Sequence, residues 1–265
     1  MALFCCSNSV TAQPNSFIEK IPLLDTPVSV SIDRTSHIYV AGKKGNIYKY
    51  NSDGELLFTH SPQKQTNVKS VEAWSTLNTF VFYEGLQEFS VLDRFLTPIT
   101  TQKFRNQIYA RLATISSDNN LWVFDDQDYS LKKINLNYFE ADILTSLNNI
   151  VSGELHGTHI REYQNFVFLS NAAAGIYVFD HFGNFIKELP FKGVSYFNFH
   201  KNTLYFLNDS KLTLFDIYSS DVKELELETE QKYTFALITE HKLFLFSGES
   251  VDVYQHSIEV DSERK

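Results

Sequence analysis

Residues 37–51 read HIYVAGKKGNIYKYN. Two runs of β-branched and aromatic residues, HIYVAG (37–42) and NIYKYN (46–51), flank a short turn that holds Lys43, Lys44 and Gly45. That composition is the signature of an antiparallel hairpin. Working outward, VSVSID (28–33) alternates polar and apolar residues on the upstream side. ELLFTH (55–60), a more variable strand, lies downstream after an Asp-Gly turn at 53–54. The stretch therefore predicts a four-stranded antiparallel unit.

The same unit recurs along the whole chain. HIYVAG is followed by TFVFYE (79–84), NLWVFD (120–125), NFVFLS (165–170), TLYFLN (203–208) and KLFLFS (242–247). Their anchors Ile38, Phe80, Leu121, Phe166, Leu204 and Leu243 recur at intervals of about 40 residues, the period of a four-stranded propeller blade. A third strand follows each anchor and ends on Asn51, Asp93, Asn135, Asp180 or Asp216 in five of the repeats. Asn and Asp suit that place because their side chains close turns on nearby backbone. Upstream strands KSVEAW (69–74), RLATIS (111–116), THIREY (158–163), SYFNFH (195–200) and TFALIT (234–239) complete the inner set. The expected fold is all-β, a six-bladed β-propeller of four-stranded antiparallel blades.

The last unit is one strand short, because only QHSIEVDSERK follows Tyr254. FIEKIP (17–22) repeats the pattern of FIKELP (185–190), the fourth strand of the fourth unit. Residues 16–23 are therefore expected to complete the last blade, closing the ring and removing an open sheet edge. The alternative gives that role to the run SIEV (257–260). In KELELE (223–228), carboxylates alternate with apolar residues, which protects an outer edge.

Residues 32–57, IDRTSHIYVAGKKGNIYKYNSDGELL, resemble the NHL-type propeller repeat, and SSDNNLWVFDD (116–126) is similar to it. The resemblance implies architecture and no single activity, since propellers of this kind serve as enzymes and as binding platforms. The chain departs from the pattern in having ten glycines, and blades two, five and six lack the Asp-Gly turn.

Length and composition agree with one globular domain. The chain has 265 residues, 43% of them hydrophobic, with 23 Phe and 14 Tyr. Size scaling puts about 12,000 Å² on the folded surface against roughly 44,000 Å² unfolded. A net charge of -9 argues against nucleic acid or an anionic membrane surface as partner, since both reward clustered cations. The two cysteines, Cys5 and Cys6, are adjacent and precede every repeat. No cysteine metal site or disulfide framework is therefore expected.

Small residues at Val10 and Ala12, before Gln13, resemble the end of a cleaved signal peptide. The domain expectation is a signal-peptide remnant or disordered tail over 1–12, one propeller domain over 13–258 and a charged tail over 259–265. The expected location is periplasmic or otherwise extracytoplasmic, with no direct membrane insertion.

Motifs for chemistry are sparse. There is no G-x-S-x-G, H-E-x-x-H or P-loop pattern. His156 and His159 stand three apart, and Asp125, Asp126 and Asp128 crowd one turn as a conceivable calcium set. The pair reads first as satisfied or exposed histidines and the turn as a solvated one. The inner strands offer Glu72, His159, Arg161 and Asn198. No catalytic residue, metal ligand or cofactor is assigned.

Partner contacts are expected on the loops that leave one end of the blades, at Lys43 and Lys44 and in residues 60–67, 100–108, 146–156 and 170–175. Lys103, Phe104 and Arg105 set an aromatic between two cations, a composition enriched at protein contacts, and the alternative is that Phe104 tucks under its own loop. Ala173 lies in a small apolar turn that permits close approach. The expected function is a non-enzymatic interaction or accessory subunit of a multiprotein envelope assembly, with a protein partner. Its narrower form is a plug-type subunit of an outer-membrane secretion translocon. The alternatives are a metal-dependent lactonase or hydrolase, and a sugar- or peptide-binding sensor displaying aromatics such as Trp74 or Tyr163. Trp122 is expected in the core.

Overall fold

The computed structural model describes residues 16–257 apart from 74, 106–107, 152–154 and 228–230. The expectations for residues 1–12 and 259–265, and for Trp74, lie outside the described residues. By internal contacts the chain forms two compact units, Asp25–Ser195 and Met1–Leu24 with Tyr196–Lys265. Each is described by itself.

The smaller unit opens with β1 (Ser16–Pro22). The larger unit then holds blade 1, with β2 (Pro27–Ile32), β3 (Ile38–Gly42), β4 (Ile47–Tyr50) and β5 (Leu56–His60). Blade 2 has β6 (Ser70–Glu72), β7 (Asn78–Tyr83), β8 (Glu88–Asp93) and β9 (Pro98–Lys103), with a 3-10 turn at Glu84–Leu86 between β7 and β8. Blade 3 has β10 (Ala110–Ile115), β11 (Leu121–Asp125), β12 (Ser130–Asn135) and β13 (Glu140–Ser146). Blade 4 has β14 (Gly157–Tyr163), β15 (Phe166–Asn171), β16 (Gly175–Asp180) and β17 (Phe185–Leu189). The smaller unit resumes with blade 5: β18 (Asn198–His200), β19 (Thr203–Asn208), β20 (Lys211–Asp216) and β21 (Val222–Glu226). It ends with β22 (Phe235–Ile238), β23 (Lys242–Phe246) and β24 (Ser250–Gln255).

Each blade is a four-stranded antiparallel sheet, and the fold is all-β, a six-bladed β-propeller. β1 pairs with β24 and supplies the fourth strand of the last blade, as the match between 17–22 and 185–190 predicts. The ladders share a further detail. A bulge interrupts the outer pairing at Ile18, between Phe17 and Glu19, and the register slips in the same way at Ile186. Equivalent slips fall on Leu57 and Ile99. Bulges increase local twist, so the first strand carries the outer-strand irregularity along with the outer-strand sequence.

The turns follow the residue types that end the third strands. The Oδ1 atoms of Asn51, Asp93, Asn135, Asp180 and Asp216 each accept the amide two residues on, at 2.8–3.0 Å. That bond closes an Asx-type turn and leaves the following hydrophobic free to face outward. Phe95, Phe182 and Tyr218 are exposed there.

Blades pack through alternate faces of their strands. Leu112, Trp122, Phe124, Ile160, Val167 and Leu169 form one such layer in the larger unit. Trp122 is fully buried, as expected. Two expectations need correction here. Thr100–Lys103, read as loop, belongs to β9 and pairs with β8 from Val91 to Glu88, with half-buried Thr100 and Gln102 alternating with exposed Thr101 and Lys103. Phe104, read as a surface contact, is 6% exposed and packs on Phe82 and Phe89 with ring centroids 5.8 and 5.6 Å apart. Burying the ring removes its apolar area from water, which an exposed loop position would forfeit. Among the described residues, no helix is long and apolar enough to cross a membrane.

Candidate functional site

The ladders place Lys43, Lys44, Lys103 and Arg105 at one end of blades 1 and 2. β3 leaves that end at Gly42, which pairs with Pro27, and β9 reaches it at Lys103, which pairs with Glu88. Gly45 makes the turn possible. Its φ is 95°, and a Cβ there would stand 2.7 Å from the Thr66 carbonyl oxygen and 2.8 Å from Pro62 Cγ. The turn bearing Lys43 and Lys44 is therefore pressed against residues 62–66, the connection that carries exposed Lys64.

Blade 2 continues the surface. A Cβ at Gly85 would lie 3.6 Å from Thr66 Oγ1, so the 3-10 turn borders the same connection. Gln87, at φ 49°, ties this turn to the next blade. Its Nε2 donates to the Glu84 carbonyl at 2.8 Å and to the Ala110 carbonyl at 2.9 Å, while its Oε1 accepts the Ala110 amide at 2.8 Å. The Phe104 amide donates to the Gln87 carbonyl at 2.8 Å. Buried Phe104 thus anchors a strand end whose flanking cations, Lys103 and Arg105, remain exposed. Arg105 leans over the Phe139 ring at 5.4 Å.

Ala173 occupies the β15–β16 turn at the same end of blade 4, exposed, with its amide donating to Asn171 Oδ1 at 3.2 Å. Among the described residues no bond joins it to the blade 1 and 2 surface. Of the predicted contact residues, then, Lys43, Lys44, Lys103 and Arg105 share one surface, Phe104 supports it from beneath, and Ala173 stands apart. Lys64 lies in the predicted contact loop 60–67, whereas Gln87 was not singled out by sequence. A lone Gln after a turn carries no periodic signal, and two of its three bonds cross to a strand 23 residues away.

The inner strands of the larger unit are sewn together by side chains. Ser29 and Ser31 accept the amides of Val71 and Ala73 at 3.0 Å each. Three positions before the end of each second strand, the inner-strand partners are Ser31, Glu72, Thr114 and Arg161. Thr114 Oγ1 donates to Glu72 Oε2 at 2.9 Å, and Glu72 Oε1 has no hydrogen-bond partner among the described residues. Burial pushes the Glu72 carboxyl up to about 7, against the opposing pull of the Arg161 charge and the Thr114 bond. Glu162 is instead fully engaged. Its Oε2 accepts Ser116 Oγ and Trp122 Nε1, both at 2.6 Å, and its Oε1 accepts the Ser117 amide at 2.9 Å.

The two conceivable metal sets resolve into other roles. His159 is buried and its amide donates to Ser170 Oγ at 3.0 Å, whereas His156 is exposed. In the aspartate turn, Lys132 reaches between Asp125 Oδ2 at 2.6 Å and Asp128 Oδ2 at 2.5 Å. Burial alone would lower the Lys132 ammonium, and the two carboxylates outweigh it and hold the group above its ordinary value. A lysine thus sits where a calcium ion would need oxygen ligands only. Among the described residues, no three of His, Cys, Asp and Glu converge on a metal-sized site.

No protein-family model matches the chain, and no curated protein matches it. Solved structures do. Virginiamycin B lyase from Staphylococcus aureus superposes with a TM-score of 0.61 at 11% identity, over 92% of this chain and 90% of that one. The Pan2 WD40 domain of Neurospora crassa gives 0.60 at 9% identity, over 89% and 91%. BamB from Moraxella catarrhalis gives 0.52 at 11% identity, over 87% and 86%. At such identities the likeness is one of fold, and the fold it shows is the β-propeller.

Proposed function

We propose that this chain is a non-enzymatic, extracytoplasmic interaction subunit of a multiprotein envelope assembly, and that it meets its protein partner through the exposed end of blades 1 and 2. The observation that carries the reading is the contrast between the two sets of charged groups. Inside the larger unit, Glu162, Lys132 and Asp125 are consumed by bonds that tie turns and strands together. At the blade ends, Lys43, Lys44 and Lys103 stand exposed on a surface braced by Gln87 and buried Phe104. A rigid frame presenting unengaged side chains suits contact, because the backbone beneath them needs no ordering on binding.

The extracytoplasmic part of the reading rests on sequence. All the cysteine lies at Cys5 and Cys6, and small residues at Val10 and Ala12 resemble a signal-peptidase site. A plug-type subunit of an outer-membrane secretion translocon is the narrow form of this reading.

Cell fractionation followed by co-purification tests it. The chain should appear in the envelope fraction in constant ratio to one other protein. A chain recovered from the cytosol, without a stoichiometric partner, overturns the reading.

A further inference from the structure

Lys43, Lys44, Lys64, Lys103 and Arg105 are exposed, and none makes an ion pair with a described residue. They occur on a chain whose net charge is -9. The close approach of Gly45 and Gly85 to residues 62–66 makes the turn, the connection and the 3-10 turn one continuous platform. The Phe104–Gln87 backbone bond adds the end of β9.

Among the described residues, three carboxylates share this end of the two blades. Glu84 is taken up by Arg111 at 2.7 Å and Lys69 at 3.5 Å. Asp25 packs against Gly42, where a Cβ would stand 2.1 Å from its Oδ2. Glu88 is half-buried in β8. The platform therefore keeps a net positive field, while the same end of blade 3 presents exposed Asp126 and Asp128. The basic area is bounded.

We infer that this platform receives an acidic segment of the partner polypeptide, an inference that rests on the interaction reading above. Complementary charge of this kind steers encounter and fixes register. A short acidic peptide fits a bounded area. A nucleic acid fits less well, since its duplex carries one charge per about 1.7 Å and would run on over the aspartates of blade 3.

The test uses the full chain and three probes: a fluorescein-labelled octaglutamate peptide, a labelled double-stranded DNA oligonucleotide and vesicles containing phosphatidylglycerol. Each is titrated by anisotropy or co-sedimentation at low and at physiological salt. The expected result is binding of the peptide that weakens as salt rises and falls at least tenfold in the K43E/K44E/K64E/K103E chain. The oligonucleotide and vesicles should bind more weakly than the peptide. All four positions are exposed, so the variant should melt with the native chain. Should it not, K43Q/K44Q/K64Q/K103Q replaces it, with a loss of about threefold or more expected.

Equal binding of the peptide by native and variant chains overturns the inference, as does no binding, or tighter binding of the oligonucleotide or vesicles. None of these outcomes touches the interaction reading, which co-purification tests for a partner of any charge.

Discussion

Phe17 of the first strand stands opposite Tyr254 of the last, and their rings meet edge to face with centroids 5.6 Å apart. Residues more than 230 positions apart thus share one blade, and the hydrogen-bonding edge of β24 is covered. Ile21, four residues on in β1, is 5% exposed and pairs with Val251. Ile21→Ala should cost about 2–5 kcal/mol, the range for truncating a buried aliphatic. Denaturant unfolding checks it. A cost below about 0.5 kcal/mol would mean that β1 does not hold the last blade.

Trp122 Nε1 donates to Glu162 Oε2 across adjacent blades. Glu162→Ala leaves that buried donor and Ser116 without their acceptor, and unfulfilled buried groups cost about 1–3 kcal/mol each. The expected outcome is a loss of stability with a changed near-ultraviolet signal from Trp122. An unchanged spectrum would show that the indole is held by packing alone.

Lys132 and Asp125 are both buried, with 6% and 1% of their side chains exposed. Lys132→Ala leaves the buried Asp125 carboxylate with only the Tyr109 and Gln127 amides as donors and should destabilise by about 3–5 kcal/mol, whereas replacing both with Met and Leu also orphans those amides and should recover only part of the loss. A calcium-dependent rise in melting temperature in the native chain would contradict this assignment of the turn.

Glu72 gives stability a pH dependence. Burial raises its folded value from 4.5 to about 7, with Arg161 and Thr114 opposing the rise and Glu162 adding to it. The folded state keeps a proton that the unfolded chain releases. The contribution is therefore fully present below pH 4.5 and is lost as pH rises through about 7. Glu72→Gln should flatten stability across that window and add on the order of 1–3 kcal/mol at pH 8. An unchanged slope in the variant would place the titration elsewhere.

The fold was legible because each blade repeats its own strands. Alternation marks the second and third strands, and the pattern shared by 17–22 and 185–190 marks the closing strand that pairs with β24. The fourth strands were harder. β9 begins with Pro98 and carries Thr-Thr-Gln, polar enough to pass for loop, because an outer strand buries only one face.

The candidate site was half legible. Composition found the cations, but burial is a tertiary property: an aromatic between two cations fits a surface contact and a tucked ring alike, and the packing beside Phe82 and Phe89 decides for the tucked ring. Ties such as Glu162 to Trp122 join positions 40 apart and leave no local pattern.

Amine-directed cross-linking of the full chain in its source cells, with the linked peptides mapped by mass spectrometry, tests the central claim most directly. The account predicts one partner in stoichiometric amount, joined chiefly through Lys43, Lys44, Lys64 and Lys103. A partner joined through other lysines while these four stay unlinked, or no partner at all, would contradict it.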